Sequence, residues 1–206
     1  MALDKDIVGS IEFLEVEGLQ GSTYLLKGPN GEQVKLNQSE VADEDEFEIG
    51  EEYSFFVYPN RSGELFATQN MPDITKDKYD FAKVLKTDRD GARIDVGLPR
   101  EVLVPWEDLP KIKELWPQAG DYLLVTLRID SNNQMFGRLA SETIVEGMFT
   151  PVMDDSKQNE MIEARAYRLL RVGSFLLSED GYKIFVHESE RCLLYTSDAA
   201  DDSLRV

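Results

Sequence analysis

The chain has 206 residues, 42% of them apolar and 30% charged, a balance that suits soluble folded domains with sizeable cores. It carries 40 acids against 22 bases, a net charge of −18, with a single histidine and a single cysteine. That inventory leaves little for thiolate or metal chemistry. No apolar run approaches a membrane span, and the acidic start at Asp4 and Asp6 is unlike a secretory leader, so a cytoplasmic protein is expected.

A glycine opens a strand-like segment three times, at Gly21, Gly91 and Gly173. A second apolar segment follows each, starting at Val34, Val102 and Ile184. Such a recurrence means one small module used repeatedly, with a unit of about seventy residues. In the first unit, strands are predicted over residues 7–17, 22–27, 33–36, 53–58 and 64–68. Turns are predicted at Gly28-Pro29-Asn30-Gly31 and at 59–63, where proline and Asn-Gly supply the turn angles. The second unit repeats the order with strands over 81–87, 92–96, 101–104, 122–130 and 134–139. Its connection at 105–116 places Leu109, Ile112 and Leu115 at helical spacing, so one or two helical turns are expected there. The third unit supplies strands over 164–172, 174–178 and 183–187, and its fourth and fifth strands are missing. Linkers are expected at 71–78 and 141–163, the latter starting with a short helix near 142–148. Met148, Met153 and Met161 read as gap-filling residues.

The fold class expected is all-β, tandem five-stranded OB-fold barrels with the third incomplete. The boundaries are residues 1–72, 73–141 and 142–191, with 192–206 set apart. From Cys192 onward the chain resembles the in-frame translation of a sequencing-library adapter, and 192–206 is expected to be non-native. The authentic chain is then expected to continue beyond Arg191.

Charge is unevenly shared. Residues 1–72 hold 15 acids and 4 bases, a net of −11, whereas 73–142 hold 13 acids and 11 bases, a net of −2. Phosphate affinity comes from Lys and Arg, so a polyanion is expected to be handled by the later units. The run Asp43-Glu44-Asp45-Glu46 reads as a solvated loop, since no calcium-loop spacing accompanies it.

The segments Gly173-Ser174-Phe175 and Phe185-Val186-His187-Glu188-Ser189-Glu190 resemble the RNA-binding domain named for ribosomal protein S-one. Taken whole, residues 1–191 resemble the conserved virulence factor B family of Gram-positive bacteria, with 1–9, 53–72 and 181–191 carrying the likeness. The resemblance implies three such domains followed by a winged helix, which this chain lacks, and a role as an RNA-binding regulator of virulence-factor expression. It also implies that bases stack on outward rings of the second and third strands of a unit.

Three aligned positions then decide which unit can hold a base: Thr23, Lys35 and Asn37 in the first, Arg93, Leu103 and Pro105 in the second, Phe175, Phe185 and His187 in the third. Only the third offers a complete stacking surface, with Arg168, Arg171 and Lys183 near enough to grip the backbone. The second carries Lys83, Lys86, Arg89, Arg93 and Arg100, with Trp106 beyond. Strand alternation leaves the face of Phe175 open between barrel filling and surface stacking. His187 and the Lys/Arg set are each open between RNA contact and an incidental surface role, and Trp106 between RNA contact and anchoring the connection.

The partner expected is single-stranded RNA, with no cofactor and no membrane. The acidic first unit suggests an alternative, a scaffold docking onto a basic protein partner. Catalysis has little support. The carboxylates Asp88 and Asp90 precede Gly91 in what reads as a tight turn, and no phosphate-cradling loop is present.

Overall fold

The computed structural model describes residues 7–41, 47–150, 161–193 and 204–205. The acidic run at 43–46, Met153 and most of 192–206 lie outside the described residues. Strand β1 (Ile11–Gln20) pairs with β2 (Thr23–Lys27), β2 with β3 (Gln33–Asn37), and β4 (Glu52–Pro59) with β5 (Leu65–Thr68). The order β1-β2-β3-β5-β4 closes into a barrel because β3 and β5 run parallel, with Lys35 opposite Phe66 and Leu36 opposite Ala67. Alternation along each strand turns Leu14, Val16, Leu26, Val34, Leu36, Phe55 and Val57 inward to one buried cluster.

The second unit repeats the plan with β6 (Asp80–Asp88), β7 (Gly91–Asp95), β8 (Val102–Pro105), β9 (Tyr122–Ile129) and β10 (Met135–Leu139), ordered β10-β9-β6-β7-β8. Its two end strands meet at Gly137, where a Cβ would lie 2.9 Å from Val104 Cγ2 and 3.0 Å from Ile94 Cδ1. The connection between β8 and β9 forms 3-10 turns at Trp106–Asp108 and Lys113–Leu115, where the Leu109, Ile112 and Leu115 spacing predicts helical turns. A spacing of three fits both helix types, and Pro110 and Pro117 stop a longer helix from forming. Trp116 Nε1–H donates to the Pro110 carbonyl at 2.7 Å, which tethers the loop.

A short helix α1 (Glu142–Glu146) follows, capped by Ser141 Oγ accepting from the Ile144 N–H. The third sheet holds β11 (Glu163–Leu170), β12 (Gly173–Ser178) and β13 (Lys183–His187), with a two-residue β14 (Leu204–Arg205) on its outer edge. In β14, Leu204 stands opposite Ala164 and Arg205 opposite Glu163. That is the end of the first strand which takes β4 in the first unit and β9 in the second. Among the described residues the third sheet thus has three full strands and this short fourth.

The three units share one irregularity. The first strand of each carries a bulge, between Val16 and Gly18, between Val84 and Lys86, and between Ala166 and Arg168. The extra residue is Glu17, Leu85 or Tyr167, and a bulge re-aims the side chain it carries.

The segment at 71–78, expected as a linker, is packed rather than free. Ile74 is buried in the second unit's core, and the Lys76 N–H donates to the Gly9 carbonyl at 2.8 Å. Phe56 and Tyr58 of β4 also join that core, whereas Phe55 and Val57 fill their own barrel.

Candidate nucleic-acid interface

Ladder register fixes which side chains share a face. In the third unit Phe175 stands opposite Phe185, and Gly173 opposite His187. The same places in the second unit hold Arg93 opposite Leu103 and Gly91 opposite Pro105. In the first they hold Leu25 opposite Lys35 and Thr23 opposite Asn37. The sequence alignment of Thr23 with Arg93 and Phe175 is thereby corrected to Leu25. Gly21 sits in the hairpin turn with φ +64, while Gly91 and Gly173 already lie on a strand, so counting from the glycine slips the register by two.

Gly173 is required for a second reason. A Cβ there would strike the Val186 carbonyl and meet the Phe185 ring 2.5 Å from its Cζ, so the ring lies over bare backbone. Phe185 remains 47% exposed, and its centroid is 5.1 Å from that of Phe175, which is half-buried. Their neighbours on β12 and β13, Leu176 and Val186, point into the core. The bulge adds Tyr167, 6.3 Å from Phe175, and Phe149 from the segment after α1 lies 6.5 Å beyond that. The four rings lie at spacings typical of interacting aromatics, but only Phe185 is exposed: Phe175 is half-buried, and Tyr167 and Phe149 pack against the buried cluster of Leu124, Val145 and Leu177. The segment carrying Phe149 is held to the β12–β13 turn, where the Thr150 N–H donates to the Gly181 carbonyl at 2.8 Å.

Cations border this row of rings. Lys183 Nζ sits 4.8 Å from the centroids of both Phe149 and Phe175. It also approaches Glu142 Oε1 at 3.1 Å, while Arg168 Nη1 pairs with Glu142 Oε2. Burial works against the Glu142 carboxylate, but hydrogen bonds from Lys183 and Arg168 outweigh it and hold its pKa below the usual carboxylate value. The hydrogen bond to Glu142 in turn raises Lys183. His187 is exposed beyond Phe185, and its Nδ1 lies 2.9 Å from Ser189 Oγ. Arg171 is exposed in the β11–β12 turn.

In the second unit Lys86 stands opposite Arg93, and Glu101 Oε1 approaches both, at 3.3 Å and 3.6 Å. Asp88 also approaches the Arg93 Nε at 3.7 Å. Trp106 is 54% exposed at the end of β8, its backbone N–H donating to the Asp90 carbonyl at 3.0 Å. Arg100 does not join this face. It lies half-buried beside Tyr58 at the junction with the first unit, where burial pulls it below the usual guanidinium value. Lys35, in the first unit, is paired with Glu64 at 2.8 Å.

Sequence reasoning missed Tyr167, Phe149 and Glu142. Two of them lie outside the aligned strands, and Tyr167 becomes part of the face only because β11 bulges there. Among the described residues there is no group of three His, Cys, Asp or Glu able to hold a metal ion, and no helix long and apolar enough to cross a membrane.

Comparison with known proteins gives family matches over the first two units. Residues 8–70 match the S1 domain family, and residues 79–138 match the family described as the first S1-like domain of CvfB. Proteins named conserved virulence factor B are 92% and 91% identical in two Staphylococcus epidermidis strains and 85% identical in Staphylococcus aureus, each over 191 residues and 93% of this chain. The chain belongs to the conserved virulence factor B family. It spans 64% of the length of those relatives. A solved multidomain protein with nucleic acid binding domains from Streptococcus pneumoniae has the same fold, with a TM-score of 0.75 and 27% identity. That match covers 90% of this chain and 64% of the other.

Proposed function

We propose that this chain is a non-catalytic, cytoplasmic RNA-binding protein that contacts single-stranded RNA, mainly through its second and third units. Its cellular role in this reading is post-transcriptional regulation of virulence-factor expression. The observation that carries it is the exposed Phe185 ring beside the half-buried Phe175, with Lys183 over Phe175. Ring faces accept any unstacked base at about 1–3 kcal/mol each, so such a pair suits a flexible single strand and not a duplex. In this reading Arg168, Lys183 and Arg171 are the cations that meet the phosphates. The names of the relatives and the nucleic acid binding domains of the pneumococcal structure point the same way.

Fluorescence anisotropy with a labelled twelve-residue oligouridylate, compared with a duplex RNA of equal length, tests the reading. Preference for the single strand with affinity falling as salt rises is expected. Equal affinity for both would count against stacking.

One observation favours a second role for the first unit. Phe13, 66% exposed, and Ile11 share the outer face of β1 on the barrel that carries the net charge of −11. A basic protein segment with apolar anchors would suit that face. A pull-down at low salt in which Phe13→Ser retains its partners as well as the unaltered chain would remove this reading.

A further inference from the structure

In all three units the cation nearest the candidate face is already held by a carboxylate of the same chain. Glu64 holds Lys35, Glu101 spans Lys86 and Arg93, and Glu142 spans Arg168 and Lys183. The carboxylates come from unrelated places: the turn before β5, the residue before β8, and the first turn of α1. Two of the cations do not, since Lys86 and Arg168 occupy the same ladder position directly after the bulge of their strands, whereas Lys35, Arg93 and Lys183 lie at differing places on other strands. Glu142 divides its two oxygens between its two cations, as a phosphate of a stacked strand would.

We propose that Glu142, and Glu101 in the second unit, act as internal phosphate surrogates that set ligand specificity by neutralising the backbone grip. This rests on the RNA-binding reading of the same face. A polyanion entering the site must displace the carboxylate, so it exchanges one ion pair for another and gains little from charge alone. A ligand with bases to lay on Phe175 and Phe185 gains stacking as well. The surrogate therefore rejects polyanions without stackable bases, whereas a bare cationic groove would retain them all.

The test compares Glu142→Gln, Glu101→Gln and Glu146→Gln in the whole chain. Glu146 is exposed at the far end of α1, so its substitution makes the same charge change away from Arg168 and Lys183. The probes are immobilised heparin, a polyanion without bases, and labelled oligouridylate. Glu142→Gln is expected to elute from heparin at higher salt than Glu146→Gln, with affinity about fivefold higher at low salt, and Glu101→Gln to move the same way. For oligouridylate, freeing two cations should steepen the plot of log affinity against log salt by up to about 1.4. Co-elution of both variants with Glu146→Gln would overturn the proposal, whatever RNA does. Later elution from heparin with no oligouridylate binding by any variant would leave the neutralising role standing and remove the RNA reading instead.

Discussion

Phe55 and Phe56 are adjacent, equally large and fully buried, yet they belong to different cores. Phe55 fills its own barrel. Phe56 points out of it and belongs to the second unit's buried cluster, which also holds Ile74, Val125 and Leu127. Both tryptophans of the chain, Trp106 and Trp116, are in the second unit, and Trp116 packs against that shared core. Phe56→Ala therefore perturbs the first unit and is read out in the second. Removing a fully buried phenylalanine costs about 3–5 kcal/mol. With a urea dependence of about 2 kcal/mol per molar, the midpoint of the tryptophan transition should fall by roughly 1.5–2.5 M. Phe55→Ala should move the tryptophan transition less, because its cavity opens in the first barrel. If Phe56→Ala leaves the transition in place, the two units unfold independently and the shared core is not cooperative.

Other outcomes follow from single contacts. Gly137→Ala should destabilise the second unit by about 1–3 kcal/mol, since its Cβ would press on Val104 and Ile94. Gly18→Ala, with nothing within 4 Å of the added carbon, should be neutral or stabilising. Thermal midpoints of both check this, and a stabilised Gly137→Ala would show that the seam is loose. Burial first, and then Glu40 against the opposing Arg100, pushes the Tyr58 phenol up to about 12. The unfolded phenol ionises near 10, so the unfolded state sheds its proton first as pH rises. Stability is thus intact below about pH 10 and falls by about 2–3 kcal/mol as pH climbs towards 12. Tyr58→Phe should lose correspondingly less over that window by urea titration, and identical losses would refute the assignment.

Much of the fold was legible because strand order depends on local alternation and turn chemistry. The Asn30-Gly31 turn was readable from the residues themselves, and the three glycine-led hairpins revealed the repeat. What escaped depends on contacts distant in sequence. Strand alternation turns Phe56 away from its own barrel, and only the second unit explains its burial. The position of Thr23 was misjudged because the first hairpin places its glycine in the turn rather than on the strand. Glu142 reads as an ordinary helix-start acid, and nothing local ties it to Lys183, forty-one residues on. The rings at 175 and 185 were legible as candidates, but their orientation required the bulge and the bare backbone of Gly173.

The most direct test of the central claim is the affinity of the double variant Phe175→Ala with Phe185→Ala for oligouridylate at moderate salt. Losing two stacked bases should weaken binding by about 2–6 kcal/mol, at least thirtyfold, while the tryptophan unfolding transition of the second unit stays where it was. Undiminished affinity in a variant whose second unit remains folded would contradict the account.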